Sequence, residues 1–153
     1  MTRGDARELA VHLIYAREFT GETPEELIRI RLDKAYYECL SEDNEIYADR
    51  PGKGLRTYID TVVAGVAGEV DALNEYISKY AIGWDVSRIS RLARAVMQLA
   101  IYEVLHMEDV PTGVAISEAV RIAKKYDGDD TGAFVNGILG AFIRGRKKES
   151  EEV

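Results

Sequence analysis

The amino-acid sequence predicts an all-α single-domain bundle of about seven helices. Apolar residues recur at three- and four-residue spacing through nearly every segment, the period of a helix with one buried face. No segment alternates convincingly with the period of two that a half-buried strand requires. At 153 residues and 46% apolar content the chain is long enough for one good core, whereas two independent cores would each be small.

Taken in order, Ala6, Leu9, Ala10 and Leu13 form the first stripe, with Arg7, Glu8 and Arg17 off it. Thr23-Pro24-Glu25-Glu26 reads as a helix start: Thr caps, Pro suits the first turn, and Glu26 completes a capping box. Ile28, Leu32, Ala35, Tyr36 and Cys39 continue at helical spacing, which predicts one helix with Cys39 on its buried face. The polar stretch 41–54 lacks a period and contains Pro51, Gly52 and Gly54, so a mobile loop is expected. Leu55, Tyr58, Ile59, Val62, Val63 and Val66 mark a third helix. Val70, Leu73 and Ile77 mark a fourth, with Gly65 and Gly68 permitting a break between them. Asp85 is a candidate N-cap. From Ile89 to Leu105 apolar residues fall almost all round, which predicts the central, buried helix. After Pro111 a sixth helix carries Val114, Ile116, Val120 and Ile122. Asp127 to Thr131 form a turn and cap, and a seventh helix carries Phe134, Val135, Ile138, Leu139 and Phe142. The domain is expected over 1–145, followed by a charged tail, 146–153.

Twenty Lys and Arg against 27 Asp and Glu leave a net charge of −7, which argues against a protein that coats nucleic acid by bulk charge. The distribution differs from the sum. Residues 1–78 hold 9 basic and 16 acidic side chains, residues 79–148 hold 11 basic and 8 acidic, and the last five residues carry −3. Arg88, Arg91 and Arg94 recur every third residue, a pattern that fits a solvated face as well as a binding one. No uncharged apolar run approaches the roughly 20 residues of a membrane span, and the N-terminus does not read as a signal peptide. A single cysteine excludes an internal disulfide framework and a thiolate zinc site, and fits a reducing cytosol.

Catalytic constellations are not legible. There is neither a phosphate-cradling glycine loop with its lysine nor a dinucleotide fingerprint. His12 and His106 are far apart in sequence, and His106 reads instead as a cation at the negative end of the central helix. Asp129-Asp130 lacks the further oxygen ligands of a calcium loop and reads as a helix cap. No cofactor or metal is expected.

Five stretches carry a resemblance. They are ARELAVHLIY at 6–15, Trp84 through Ile89, RAVMQLAIYEVLHMEDVP at 94–111, AISEAVRIAKKY at 115–126 and FVNGILG at 134–140. In their order and spacing they resemble the NusB family of bacterial transcription antitermination factors, over most of the chain except 20–54. The resemblance implies a cytoplasmic seven-helix protein that pairs with NusE, a small-subunit ribosomal protein. That heterodimer recognises a single-stranded boxA element in nascent ribosomal RNA leaders and helps RNA polymerase pass terminators. The same fold is appended to ribosomal RNA cytosine methyltransferases; no catalytic domain follows here, so a stand-alone, noncatalytic member is expected. Several family members self-associate, which leaves a homodimer open.

By the same resemblance, the start of the first helix carries arginines that touch RNA. Arg3 and Arg7 match, whereas Gly4 and Asp5 stand where basic residues are usual, and each lost phosphate contact weakens binding to a single strand. The alternative is that Asp5 caps the helix and Arg7 pairs with an acid on the surface. Tyr15 either stacks on a base or fills a space between helices. Arg91 and Arg94 are candidates to assist. Glu103, inside an apolar run, needs a cation or several donors, and structural pairing and partner binding are both open for it and for Glu118. Asn136, beside Gly137, is expected to satisfy backbone groups where two helices approach. The partner face is expected on exposed parts of the helices between Trp84 and Tyr126. The rival reading is a protein-interaction scaffold that keeps the fold and has lost most RNA binding.

Overall fold

The computed structural model describes residues 1–151, which form two compact units, Met1–Gly68 and Glu69 onward. Among the described residues there are eight α-helices, two short 3-10 turns and no strand.

The first unit contains α1 (Arg3–Thr20), α2 (Pro24–Arg31), α3 (Lys34–Leu40) and α4 (Lys53–Gly68). α1 packs on α4 and α2, and its predicted stripe of Ala6, Leu9, Ala10 and Leu13 is buried together with Leu27, Ile59 and Val62. Two capping boxes fix the helix starts. Thr2 Oγ1 accepts from Asp5 N while Asp5 Oδ2 accepts from Thr2 N, and Thr23 and Glu26 repeat the exchange at α2. Each such cap stabilises its helix by about 1 kcal/mol. α1 ends at Gly21, whose φ of 68° is a left-handed conformation that glycine adopts without steric cost.

The single helix predicted through Ile28 and Cys39 is two. Asp33 accepts a bond from Tyr36 N and starts α3 anew, which re-phases the pattern. Leu32 stays buried, but Tyr37 takes the inward position, and Ala35, Tyr36 and Cys39 are exposed. The expectation that Cys39 is buried is therefore corrected. The 41–54 segment is also more ordered than its composition predicts. It winds into a 3-10 turn at Glu45–Tyr47, started by the Asn44 side chain, and Ile46 is buried.

The second unit contains α5 (Val70–Tyr80), a 3-10 turn at Val86–Arg88, α6 (Arg91–His106), α7 (Thr112–Asp127) and α8 (Asp129–Glu151). α6 is the central helix, as its all-round apolar character predicts, and packs against α5, α7 and α8. Asp85 caps the 3-10 turn and Ser90 caps α6, so two short-range caps turn the chain into the core helix. α7 and α8 form a tight hairpin joined at Gly128, with φ of 91°. Gly132, one turn into α8, lies so close to the Lys124 side chain that a Cβ there would collide with it. Arg144, Arg146 and Lys147 continue α8 on its exposed surface. Among the described residues no helix is long and apolar enough to cross a membrane.

Candidate nucleic-acid interface

In the first unit, the N-terminal turn of α1 presents Arg3 to solvent, with its guanidinium carbon 4.4 Å from the centroid of the Tyr58 ring on α4. Arg7, one turn on, lies 5.9 Å from the same centroid but is only 5% exposed. The expectation that Arg7 lies on the surface is therefore corrected: its side chain is packed inside. Asp5 is a member of the Thr2 capping box, so its carboxylate is turned to the helix start.

Tyr15 is 38% exposed and meets Phe19 edge to face at 5.0 Å, with Phe19 55% exposed. Phe19 was not singled out from the sequence, although it is the i+4 neighbour of Tyr15, a spacing that places two rings on one face of a helix. The same unit also holds a polar aromatic cluster. His12 Nδ1 and the Tyr47 hydroxyl are 2.8 Å apart, and the Tyr47 ring packs edge to face on Tyr37. Burial pushes the Tyr37 and Tyr47 hydroxyls up to about 12, so both stay neutral across the physiological range.

In the second unit, Trp84 and Phe134 meet edge to face at 5.4 Å. They line a groove of about 330 Å³ with Arg88, Ile89, Ser90 and Asp130. Trp84 is 54% exposed, so the groove presents an indole face to solvent beside a guanidinium. The rim is knitted together: Asp127 Oδ2 accepts from Ser90 Oγ at 3.3 Å and from Thr131 Oγ1 at 3.0 Å. Asp85, next to Trp84, accepts from the Ser87 backbone and hydroxyl, which holds its carboxyl below the usual carboxylate range.

Arg91 is exposed at the first turn of α6, and Arg94 is half-buried one turn on. Arg121 donates to Glu118 at 2.7 Å, the i,i+3 pairing on α7. Glu103 is 1% exposed within the central helix, as its place in the apolar run predicts. Asn136 is exposed on α8, so the expectation that it satisfies buried backbone groups is corrected; a Cβ at Gly137 would meet nothing within 4 Å. Among the described residues no group of three His, Cys, Asp or Glu side chains could hold a metal ion. His106 sits in the last turn of α6, with Nε2 2.9 Å from a Glu69 carboxylate oxygen.

Fold and surface together define an all-helical protein that bears aromatic and arginine side chains on its exposed surface. The chain belongs to the NusB family: the family model so described matches residues 4–144. It is 39% identical to the transcription antitermination protein NusB of Acetivibrio thermocellus, over 94% of this chain and 90% of that one. Among solved structures it is similar to T. maritima NusB, at 28% identity and a TM-score of 0.71, covering 94% of this chain and 92% of that one. It also shares its fold with a chain in a crystal structure of the antitermination factors NusB and NusE with dsRNA. That likeness has a TM-score of 0.73 and 24% identity, covering 94% of this chain and 96% of that one.

Proposed function

We propose that this protein is a noncatalytic transcription antitermination factor. In this reading it pairs with NusE, binds single-stranded boxA RNA of ribosomal RNA leader transcripts, and supports ribosomal RNA synthesis by an RNA polymerase elongation complex. The observation that carries the RNA part is the exposed Trp84, paired with the half-buried Phe134 beside Arg88, since an aromatic face accepts any base and a guanidinium adds a cation for the backbone. Arg3 supplies a second cationic point and Tyr15, with Phe19, a second stacking face. Arg91 and Arg94 extend the cationic set in the second unit. Arg7, being buried, supports the N-terminal turn rather than offering its charge outward. Glu103, buried in the central helix, acts in structure, Glu118 in structure or in the partner face, and Asn136 in contacts at the surface.

The net charge of −7 and the acidic Asp5 fit a protein whose RNA affinity alone is weak and rises with a basic partner. The test is a titration of labelled boxA-like RNA with this protein, with and without NusE, at two salt concentrations. Tight, sequence-dependent binding in the mixture is expected. No gain from NusE, with both proteins folded, would refute the adaptor reading. A second reading, a scaffold or homodimer that has lost most RNA binding, draws on the buried Arg7 and on Asp5 within the arginine segment. It predicts no RNA gain in the same titration and a doubled mass in sedimentation.

A further inference from the structure

We propose that Tyr58 is a positioning residue for RNA: its ring is the platform that holds the exposed Arg3 guanidinium in the orientation that meets a phosphate, while the buried Arg7 packs beside the same ring. This rests on the reading of the N-terminal turn of α1 as an RNA contact. Tyr58 is 4% exposed on α4, so its ring is fixed by the core and does not itself reach a ligand. Arg3 is exposed, yet its guanidinium carbon sits 4.4 Å from the ring centroid, within cation–π range, and Arg7 sits 5.9 Å away. Arg3 and Arg7 are four residues apart on one helix face, where two cations repel. The negative face of the ring, held between α1 and α4, offsets that repulsion. An exposed arginine otherwise samples many rotamers, and ordering one on contact with RNA opposes binding. Stacked on a buried ring, Arg3 has already lost that freedom, and its planar fork keeps N–H groups at the edge for a phosphate.

The experiment measures boxA-like RNA binding by the NusE complex as a function of salt for Tyr58→Phe, Tyr58→Leu, Arg3→Ala and the Tyr58→Leu/Arg3→Ala pair. Tyr58→Phe keeps the ring and is expected to bind like the parent. Tyr58→Leu is expected to bind about two- to fivefold more weakly, the range a cation–π contact supplies. Its effect and that of Arg3→Ala should be non-additive, because both remove one contact. Upfield ring-current shifts of the Arg3 side-chain protons should persist in Tyr58→Phe and vanish in Tyr58→Leu, which a merely structural role would not produce. If Tyr58→Leu does not fold, pentafluorophenylalanine at position 58 keeps the shape, reverses the charge of the ring face, and should weaken binding likewise. Parent-like binding by the leucine or fluorinated variant, with Arg3→Ala impaired, overturns the platform and leaves the RNA reading standing. Parent-like binding by Arg3→Ala overturns the N-terminal contact itself and the platform with it.

Discussion

The Tyr37 hydroxyl lies 2.8 Å from the carbonyl oxygen of Asp49, and its second neighbour is the Ile46 carbonyl at 3.1 Å. One buried side chain from α3 therefore ties down a segment that is otherwise polar and acidic. Arg50, donating to the Leu32 carbonyl at 2.9 Å, and the His12–Tyr47 contact complete the anchorage. Tyr37→Phe should lower stability by about 1 kcal/mol, the usual worth of such a bond, and expose the 41–52 backbone to protease. Urea melts and limited proteolysis check this; a parent-like midpoint and digest would contradict it.

Alkaline behaviour follows from the same pair of rings. Tyr37 and Tyr47 are raised from 10.0 to about 12, first by burial. A raised folded value means the fold holds the proton more tightly than the unfolded chain does. That contribution is complete below about pH 10 and is lost as pH rises toward 12. The melting temperature should fall across that interval, and absorbance at the tyrosinate band should show Tyr37 and Tyr47 titrating late. Ionisation of all nine tyrosines near pH 10 in the folded protein would refute it.

Trp84 is the one tryptophan of the chain, so its emission reports on the groove directly. RNA bound with NusE should quench it, and Phe134→Ala should weaken binding by roughly 5- to 100-fold, the range for loss of one stacking partner. Unchanged emission at RNA saturation would place the bases elsewhere.

Asp5 joins two opposing effects. Asp5→Asn keeps an acceptor for Thr2 N but removes a negative charge from the arginine segment. RNA affinity should rise about twofold at low salt, with the gain fading as salt screens it. Helix α1 should lose about 0.3–1 kcal/mol of favourable interaction with its dipole. Binding isotherms at two ionic strengths and a thermal melt measure both; a gain independent of salt would contradict the electrostatic origin.

Gln98 is buried in α6 and donates from Nε2 to Asn74 Oδ1 on α5 at 2.8 Å. Asn74→Ala removes that acceptor and should cost about 1–3 kcal/mol, whereas Asn74→Asp keeps an acceptor and should cost less. Equal losses in the two variants would show that the bond is not the cause.

Much of the fold was legible because its strongest signals are local. The apolar surround of 89–105 marked the central helix, and Thr23-Pro24 marked the start of α2. The split at Asp33 was not, since an apolar period can run through a cap that the backbone uses to restart. Tyr37 and Ile46 entered the core through contacts between α3 and the following segment, which periodicity does not register. The arginine segment was visible, but the burial of Arg7 against Tyr58 joins residues 51 positions apart. Trp84 and Phe134, 50 positions apart, likewise meet only once α6, α7 and α8 have packed.

The Asp127 carboxylate, bonded to Ser90 and Thr131, links the start of α6 to the first turn of α8. The two walls of the aromatic groove are thereby braced in the unliganded protein. A ligand that enters it has no wall to reorganise, so its arrival should be limited by encounter and not by a preceding isomerisation. Observed association rates would then climb linearly with ligand concentration, without the plateau that a gated pocket imposes.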